Sequence, residues 1–354
     1  MDNGNRYVGL DVHRDTISVV VLDSRGKQIL DKVIPTSAAA VLELVSLLRG
    51  TLHVALEEGT SAAWLYGLLQ PVVAEVVVCD PRKIDRHGNK SDRIDARELA
   101  DLLRCSRLSP VYHQDCGLRT LQELARSYLT LTQDQTRVMN RIKALYRSWA
   151  IACAGKSCYG PRQRETWLVQ LPHPAVRCRA EFYYQQMESV QSLRQQARQQ
   201  LLREGRKHPA FRLLQKIPYI GPIRAVLLIV FIQTPHRFRT KRQLWAYCGL
   251  ALETRDSGEY RFRAGQLQRK RRSPTVLGLN RNHHHRLKYV LKSVAARACA
   301  GSGPVHDFAQ TLLDQGMRPE MVRLTVARKI AAIILVLWKK GVAFDPQYLK
   351  PQAT

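Results

Sequence analysis

The chain has 354 residues, with 56 Lys and Arg against 29 Asp and Glu, a formal charge of +27 and a sequence pI near 10.2. At that charge a compact monomer repels itself, so the composition points to a polyanionic partner, nucleic acid first, and away from small-molecule chemistry. Hydrophobic residues make up 45% of the chain, enough for two or three ordinary domains.

The eight cysteines contain no C-x-x-C pair, which speaks against a zinc site and for a reducing compartment. The opening Met1-Asp2-Asn3-Gly4-Asn5 is polar and reads as no signal peptide. The longest apolar run, Ile330 to Trp338, is too short for a bilayer, which takes about 18 residues or more. The expectation is a cytoplasmic protein with no membrane partner.

Residues 7–11 (Tyr-Val-Gly-Leu-Asp) read as a buried strand ending in an acid, and 17–22 as a second strand. The turn Asp23-Ser24-Arg25-Gly26-Lys27 leads to a third over 28–34, giving an antiparallel meander. A helix follows over about 37–49, then a strand at 52–57 that again ends in an acid. A helix near 61–72 and a strand at 75–79 complete a βαβ unit. A further helix begins near Asp92, with Ile94, Leu99, Leu102 and Leu103 at helical spacing. The order β-β-β-α-β-α-β-α is that of an α/β ribonuclease-H-like domain, in which ligands collect at the carboxyl ends of the strands.

Beyond it the chain reads as mostly helical. Leu118, Leu121, Leu124, Tyr128, Leu131, Val138, Ile142 and Leu145 keep helical spacing to about 151, and a Gln- and Arg-rich helix covers about 180–203. The pair, with a Gly-, Pro- and Cys-rich insertion at 153–178 between them, reads as a helical hairpin or coiled-coil arm, or else an ordinary bundle. Leu213 to Ala225, through Ile217-Pro218-Tyr219-Ile220-Gly221, is helix, tight turn, helix. This is a helix-hairpin-helix pattern suited to phosphates through exposed N–H groups at Gly221, or a glycine-turned hairpin within a core. A helix covers 241–247, a basic hairpin loop 253–274, and amphipathic helices 286–300 and 304–340. His283-His284-His285 has no accompanying acid or cysteine at ligand spacing and reads as a phosphate-facing turn.

The chemistry is sought in the carboxylates. Asp92 and Asp95, three residues apart on one helix, share a face. Two carboxylates at about 4 Å repel by about 4 kcal/mol at an effective dielectric near 20, which a divalent cation offsets. The competing reading is a solvated face in which Arg93 and Arg97 neutralise the acids. Asp11 and Glu57 end neighbouring strands, so the four acids can converge on one sheet edge as a metal site acting on a phosphodiester. Glu58 competes with Glu57, which is preferred because an apolar strand residue directly precedes it.

Tyr7-Val8-Gly9-Leu10-Asp11-Val12, Leu56-Glu57-Glu58-Gly59-Thr60, Lys90-Ser91-Asp92-Arg93-Ile94-Asp95-Ala96, Ile217-Pro218-Tyr219-Ile220-Gly221 and Tyr247-Cys248-Gly249-Leu250 carry a resemblance. With these motifs the chain resembles the DEDD-type transposases of bacterial insertion sequences, relatives of the Piv-type invertases and the bridge-RNA-guided recombinases. The resemblance implies a RuvC-like catalytic domain over 1–112, a coiled-coil arm with insertion over 113–206 and a mainly α transposase domain with the helix-hairpin-helix over 207–354. It implies Asp11, Glu57, Asp92 and Asp95 as catalytic acids and as ligands of Mg²⁺ or Mn²⁺. It further implies a serine nucleophile in the C-terminal part. The corresponding position reads Asn280; the nearest hydroxyls upstream are Ser273 and Thr275, of which Ser273 is the preferred candidate, with Ser257 further back. Implied partners are double-stranded DNA, a structured noncoding guide RNA and further copies of the chain as a dimer or tetramer.

The expected nucleic-acid surface comprises Lys90, Arg93, Arg97, Gly221, Arg224, Arg261, Arg263, Arg269, Lys270, Arg271, Arg272 and Arg281. The alternatives are a RuvC- or ribonuclease-H-like nuclease using metal-activated water, a non-catalytic nucleic-acid scaffold, and an actin-like sugar kinase, which the charge disfavours. An extended cationic surface makes binding to duplex DNA steeply salt-dependent. Log K is expected to fall against log salt by about 0.9 per phosphate neutralised, and a flat profile in a salt titration would contradict the reading.

Overall fold

Three strands, β1 (Asn5–Val12), β2 (Thr16–Leu22) and β3 (Gln28–Pro35), form the expected antiparallel meander. α1 (Ala38–Leu47) leads to β4 (Thr51–Glu57), which pairs in parallel with β1, and α2 (Ala62–Leu69) leads to β5 (Glu75–Cys79), parallel to β4. The sheet order is β3-β2-β1-β4-β5. The computed structural model describes residues 4–84, 91–113, 117–255, 260–263, 265–269 and 275–349. The chain divides into two compact units, Met1–Asp115 and Cys116–Thr354.

In the first unit the sheet is covered on both faces, so its inner strands read as continuous apolar runs. Ile17, Val19 and Val21 of β2 pack with Val8, Leu10 and Leu56 against Val41 and Leu44 of α1 and Leu65 and Leu69 of α2. The alternate residues Val20, Leu22 and Ala55 face α3 (Asp92–Arg104), whose buried stripe is Ala96, Leu99, Ala100 and Leu103. That stripe is i, i+3, i+4, i+7, the spacing of one helical face. Ser91 caps α3, its hydroxyl accepting from the Ile94 N–H at 3.3 Å. The open edge of β5 is partly closed by the following chain, where the Val111 N–H donates to the Val78 carbonyl at 2.7 Å.

The second unit begins with two long antiparallel helices, α4 (Arg119–Ser148) and, after the short α5 (Arg164–Leu168), α6 (Pro174–Gly205). At 1.5 Å per residue they are about 45 and 48 Å long. Their seam is apolar at both ends and polar between. At one end Val138, Ile142, Leu145, Tyr146, Ala180, Tyr184 and Met187 enclose Cys153, Cys158, Leu168 and Leu171 of the insertion, which gives that end its own core. The Tyr146 and Tyr184 hydroxyls meet at 3.0 Å, and Tyr184 donates to the Cys158 carbonyl at 2.9 Å. In the middle Arg194 donates to Thr132 at 3.2 Å and Gln135 at 3.0 Å while lying over the Tyr128 ring. At the other end Leu121, Ala125, Leu201 and Leu202 belong to the core shared with the helices that follow.

Those helices are α7 (Ala210–Gln215), α8 (Pro222–Ile232), α9 (Lys241–Tyr247), α10 (His285–Ala300), α11 (Pro304–Asp314) and α12 (Pro319–Lys340). α8 is buried all round from Ala225 to Ile232 and forms the centre of this core. The left-handed residue of the turn before it is Tyr219, at φ 65°, while Gly221 is extended and open to solvent. Between α9 and α10, β6 (Leu252–Arg255) pairs with β9 (Thr275–Leu279), and β7 (Tyr260–Arg263) with β8 (Gln266–Arg269). Among the described residues no helix is long and apolar enough to cross a membrane.

Among the described glycines of the first unit, the closest approach lies where β1 meets α3. A Cβ on Gly9 would sit 1.9 Å from the Ala96 carbonyl oxygen and 2.7 Å from the Ala100 nitrogen. Gly9→Ala is therefore expected to cost about 3 kcal/mol in urea unfolding by overpacking α3 against the sheet. Gly59→Ala, where a Cβ meets nothing within 4 Å, should be close to neutral in the same measurement.

Candidate functional site

β1 and β4 run parallel with Leu10 opposite Leu56. The next residue of each is an acid, so Asp11 and Glu57 stand level on neighbouring strands, about 4.8 Å apart in backbone spacing. Side chains alternate along a strand. Asp11 follows Gly9, and Glu57 follows Ala55, onto the face that α3 covers. α3 begins at that edge with Asp92, and Asp95 also lies in its first turn. Acids there interact favourably with the positive end of the helix dipole, which steadies their charge without a metal.

The structure brings Asp11 and Asp92 together around a third group that the motif reading missed. Among the described residues, Asp11, His13 and Asp92 form the single cluster of three ligand-bearing side chains, their donor atoms all within 4.8 Å of one another. The His13 Nε2 lies 3.0 Å from Asp11 Oδ2 and 3.4 Å from Asp92 Oδ1. Glu57 and Asp95 do not join that trio, although the Asp95 charge is felt at Asp11. His13 was legible in principle: it stands two residues past Asp11, at the turn closed by its N–H on the Thr16 carbonyl at 2.9 Å.

Burial pushes the Asp11 carboxyl above its ordinary value, His13 pulls it back, and repulsion from Asp95 and Asp92 adds to the rise. The Asp11 side chain is 14% exposed and Asp92 62%, so the trio runs from half-buried sheet edge to open solvent. The Asp11 charge in turn raises His13. A protonated imidazole between two carboxylates occupies the electrostatic position that a cation would take. Two carboxylate oxygens and one imidazole nitrogen, converging and open on one side, are a donor set for a small divalent ion. Mn²⁺ accepts the nitrogen more readily than Mg²⁺ does.

Arg93 and Arg97 do not neutralise this edge in the way the competing sequence reading supposed. Arg93 forms an ion pair with Asp31 of β3, and Arg97 donates to Gln28 at 3.3 Å, so both tie α3 to the sheet's outer strand. Glu58 is held by His113 at 2.6 Å, with His113 packed on the Tyr66 ring.

In the second unit, Arg224 donates to the Tyr219 carbonyl at 3.0 Å and Gly221 begins α8. Arg261 and Arg263 are exposed on β7, Arg269 ends β8, and Arg281 is exposed before α10. Asn280 is a structural clip: its amide donates to the Ala246 carbonyl at 3.1 Å and its oxygen accepts from the Asn282 N–H at 2.9 Å. Of the histidine triplet, His284 caps α10, its ring accepting from the Leu287 N–H at 3.0 Å, and burial pushes it down to about 4. His283 packs against Gly249, where a Cβ would lie 2.4 Å from its ring. His284 thus serves α10 as its cap, while His285 stays exposed beside Arg286. Lys90, Lys270, Arg271, Arg272, Ser257 and Ser273 lie outside the described residues.

Residues 8–149 match a family model described as Transposase, the DEDD type of IS110, and residues 211–275 match one described as Transposase IS116/IS110/IS902 family. The transposase for insertion sequence element IS1533 of Leptospira borgpetersenii is 31% identical over 145 residues, 38% of this chain and 42% of that protein's length. The insertion element IS116 uncharacterized 44.8 kDa protein of Streptomyces clavuligerus is 21% identical over an alignment of 398 residues that takes in 96% of each chain. The first family match spans the sheet and α3 with their acids, and the second spans α8 and the basic strands. The chain therefore belongs to the DEDD-type transposase family of bacterial insertion sequences.

Proposed function

We propose that the protein is a DNA recombinase that mobilises an insertion sequence by cutting and rejoining DNA strands at a divalent-metal site on the carboxyl edge of its sheet. The observation that carries this reading is the convergence of Asp11, His13 and Asp92 within 4.8 Å in a chain of charge +27. In this reading Asp11, Glu57, Asp92 and Asp95 hold Mg²⁺ or Mn²⁺. Such an ion, when bound, supplies positive charge to the attacking and leaving oxygens of a phosphodiester. The acids set the ion's position, with the His13 nitrogen as a further donor beside Asp11 and Asp92.

A serine of the C-terminal part, Ser273 by the sequence reading, is proposed as nucleophile. Its oxygen attacks phosphorus, the bond to the deoxyribose oxygen breaks, and the serine proton passes to that leaving oxygen. A deoxyribose hydroxyl of the partner strand then attacks the same phosphorus, the bond to the serine oxygen breaks, and the hydroxyl proton passes to that oxygen, which rejoins the DNA. Asn280, engaged in backbone hydrogen bonds where the family pattern expects a serine, favours a second reading in which water cleaves the strand and no protein–DNA link forms.

We further propose that α4 and α6 act as a coiled-coil arm joining copies of the chain into a dimer or tetramer, because exchange between two duplexes needs more than one active site. The turn at Gly221 serves as a helix-hairpin-helix on DNA phosphates. A structured guide RNA would select the target by base pairing, as the resemblance implies.

Two measurements test the proposal. Mn²⁺ is expected to raise the melting temperature of the wild-type protein, Asp11→Asn to abolish the rise, and His13→Ala to weaken Mn²⁺ binding by about tenfold or more. With nicked substrate DNA and Mg²⁺, denaturation should trap a covalent protein–DNA adduct that Ser273→Ala loses, while Asp11→Asn loses cleavage but keeps DNA binding. Cleaved DNA without an adduct would select the hydrolytic reading, and cleavage that survives Asp11→Asn would exclude the metal site.

A further inference from the structure

α10 has two unlike stripes. Leu287, Val290, Leu291, Val294 and Ala298 are buried in the core of the second unit. On the outer side Arg286, Tyr289, Lys292 and Arg297 are exposed. Between His285 and Ala300 the helix carries four Lys or Arg and no acid. Tyr289, in the middle, is 75% exposed, the most exposed large hydrophobic side chain among the described residues. Nothing in the packing of the core requires an aromatic ring there.

The neighbouring turn extends this surface. The Tyr219 hydroxyl accepts from the Ser302 N–H at 2.7 Å and donates to the Ser302 carbonyl at 2.5 Å. Gly301 permits the approach, since a Cβ there would lie 2.1 Å from that hydroxyl. The turn before α8 is thus clamped to the end of α10, and it brings Arg224 to the Arg297 side of the helix. Burial and repulsion from the Arg297 guanidinium both weigh against the Arg224 charge. An anion placed between these cations would relieve the repulsion.

We propose that this face of α10 binds an unpaired segment of DNA strand, with Tyr289 stacking on a base and Arg286, Lys292, Arg297 and Arg224 holding the phosphates around it. An exposed aromatic face ringed by cations suits single strands, because every unpaired base offers a π-face and every linkage a charge. In a duplex the bases are already stacked, and the ring would be unused. The choice of DNA rests on the strand-transfer reading above, in which cut ends must be held apart from their partners before rejoining.

The test is fluorescence anisotropy with the full-length protein, without divalent metal, on oligothymidylate, oligouridylate and a duplex. Tyr289→Ala and Tyr289→Leu should each weaken oligothymidylate binding by about 5- to 100-fold, and Tyr289→Phe by less than about twofold. Duplex affinity should hold within about twofold, and Arg297→Ala should reduce the single-strand salt slope by about 0.7. Melting temperatures should not move, because the ring is exposed, and Tyr289→Leu keeps the test sound should the alanine variant misfold. Unchanged oligothymidylate binding, retention of affinity by Tyr289→Leu, or an equal loss on duplex would overturn the proposal. A larger loss on oligouridylate than on oligothymidylate would overturn it in favour of RNA. Asp11→Asn should bind as wild type here, so failure of the metal chemistry and failure of this surface are read separately.

Discussion

The first unit depends on a missing side chain. Gly9 lets the backbone of α3 lie against β1 closer than any Cβ would permit, and the small residues Ala96 and Ala100 complete the fit. That approach lays the start of α3 over the end of β1, so that Asp92 meets Asp11 through His13. The site follows from packing: the helix is held by its apolar stripe, by Arg93 on Asp31 and by Arg97 on Gln28, and its acids are carried along. The energy that holds like charges at one edge comes from burial of that stripe, against which a few kcal/mol of repulsion is small.

A second constraint is charge. A chain of +27 could neutralise a few acids many times over with its own arginines. At the edge of the sheet it does not do so with Arg93 or Arg97, whose partners lie on β3 and at Gln28. Elsewhere cations gather without acids, as on the outer stripe of α10. Segregation of this kind leaves an electronegative edge for a cation and an electropositive surface for a polyanion, the two requirements of a protein that handles phosphodiesters.

The second unit shows where periodicity is a poor guide. The run from Leu118 to Leu145 is one helix as its spacing predicts, yet its seam with α6 is two apolar cores with Arg194 between them. Helical spacing reports that a face is apolar; it does not report which partner covers each segment. The histidine triplet shows the same limit: its spacing does not tell that His284 caps α10 while His285 stays exposed.

Local pattern alone determined the strands, their order and the acids that end them. Apolar runs, turn residues and an alternation of period two are properties of neighbouring residues, and β1 to β5 and α9 lie where those patterns put them. Asp92 and Asp95 could be placed on one helix for the same reason. Tertiary structure decided what neighbours in sequence cannot encode: that Arg93 turns to Asp31, that Glu58 is taken by His113, and that Asp92 of α3 reaches Asp11 and His13. It also decided that Tyr219 clamps α8 to α10. In each of these a side chain meets a group brought to it only when an apolar face finds its cover, and that pairing is set by the whole core.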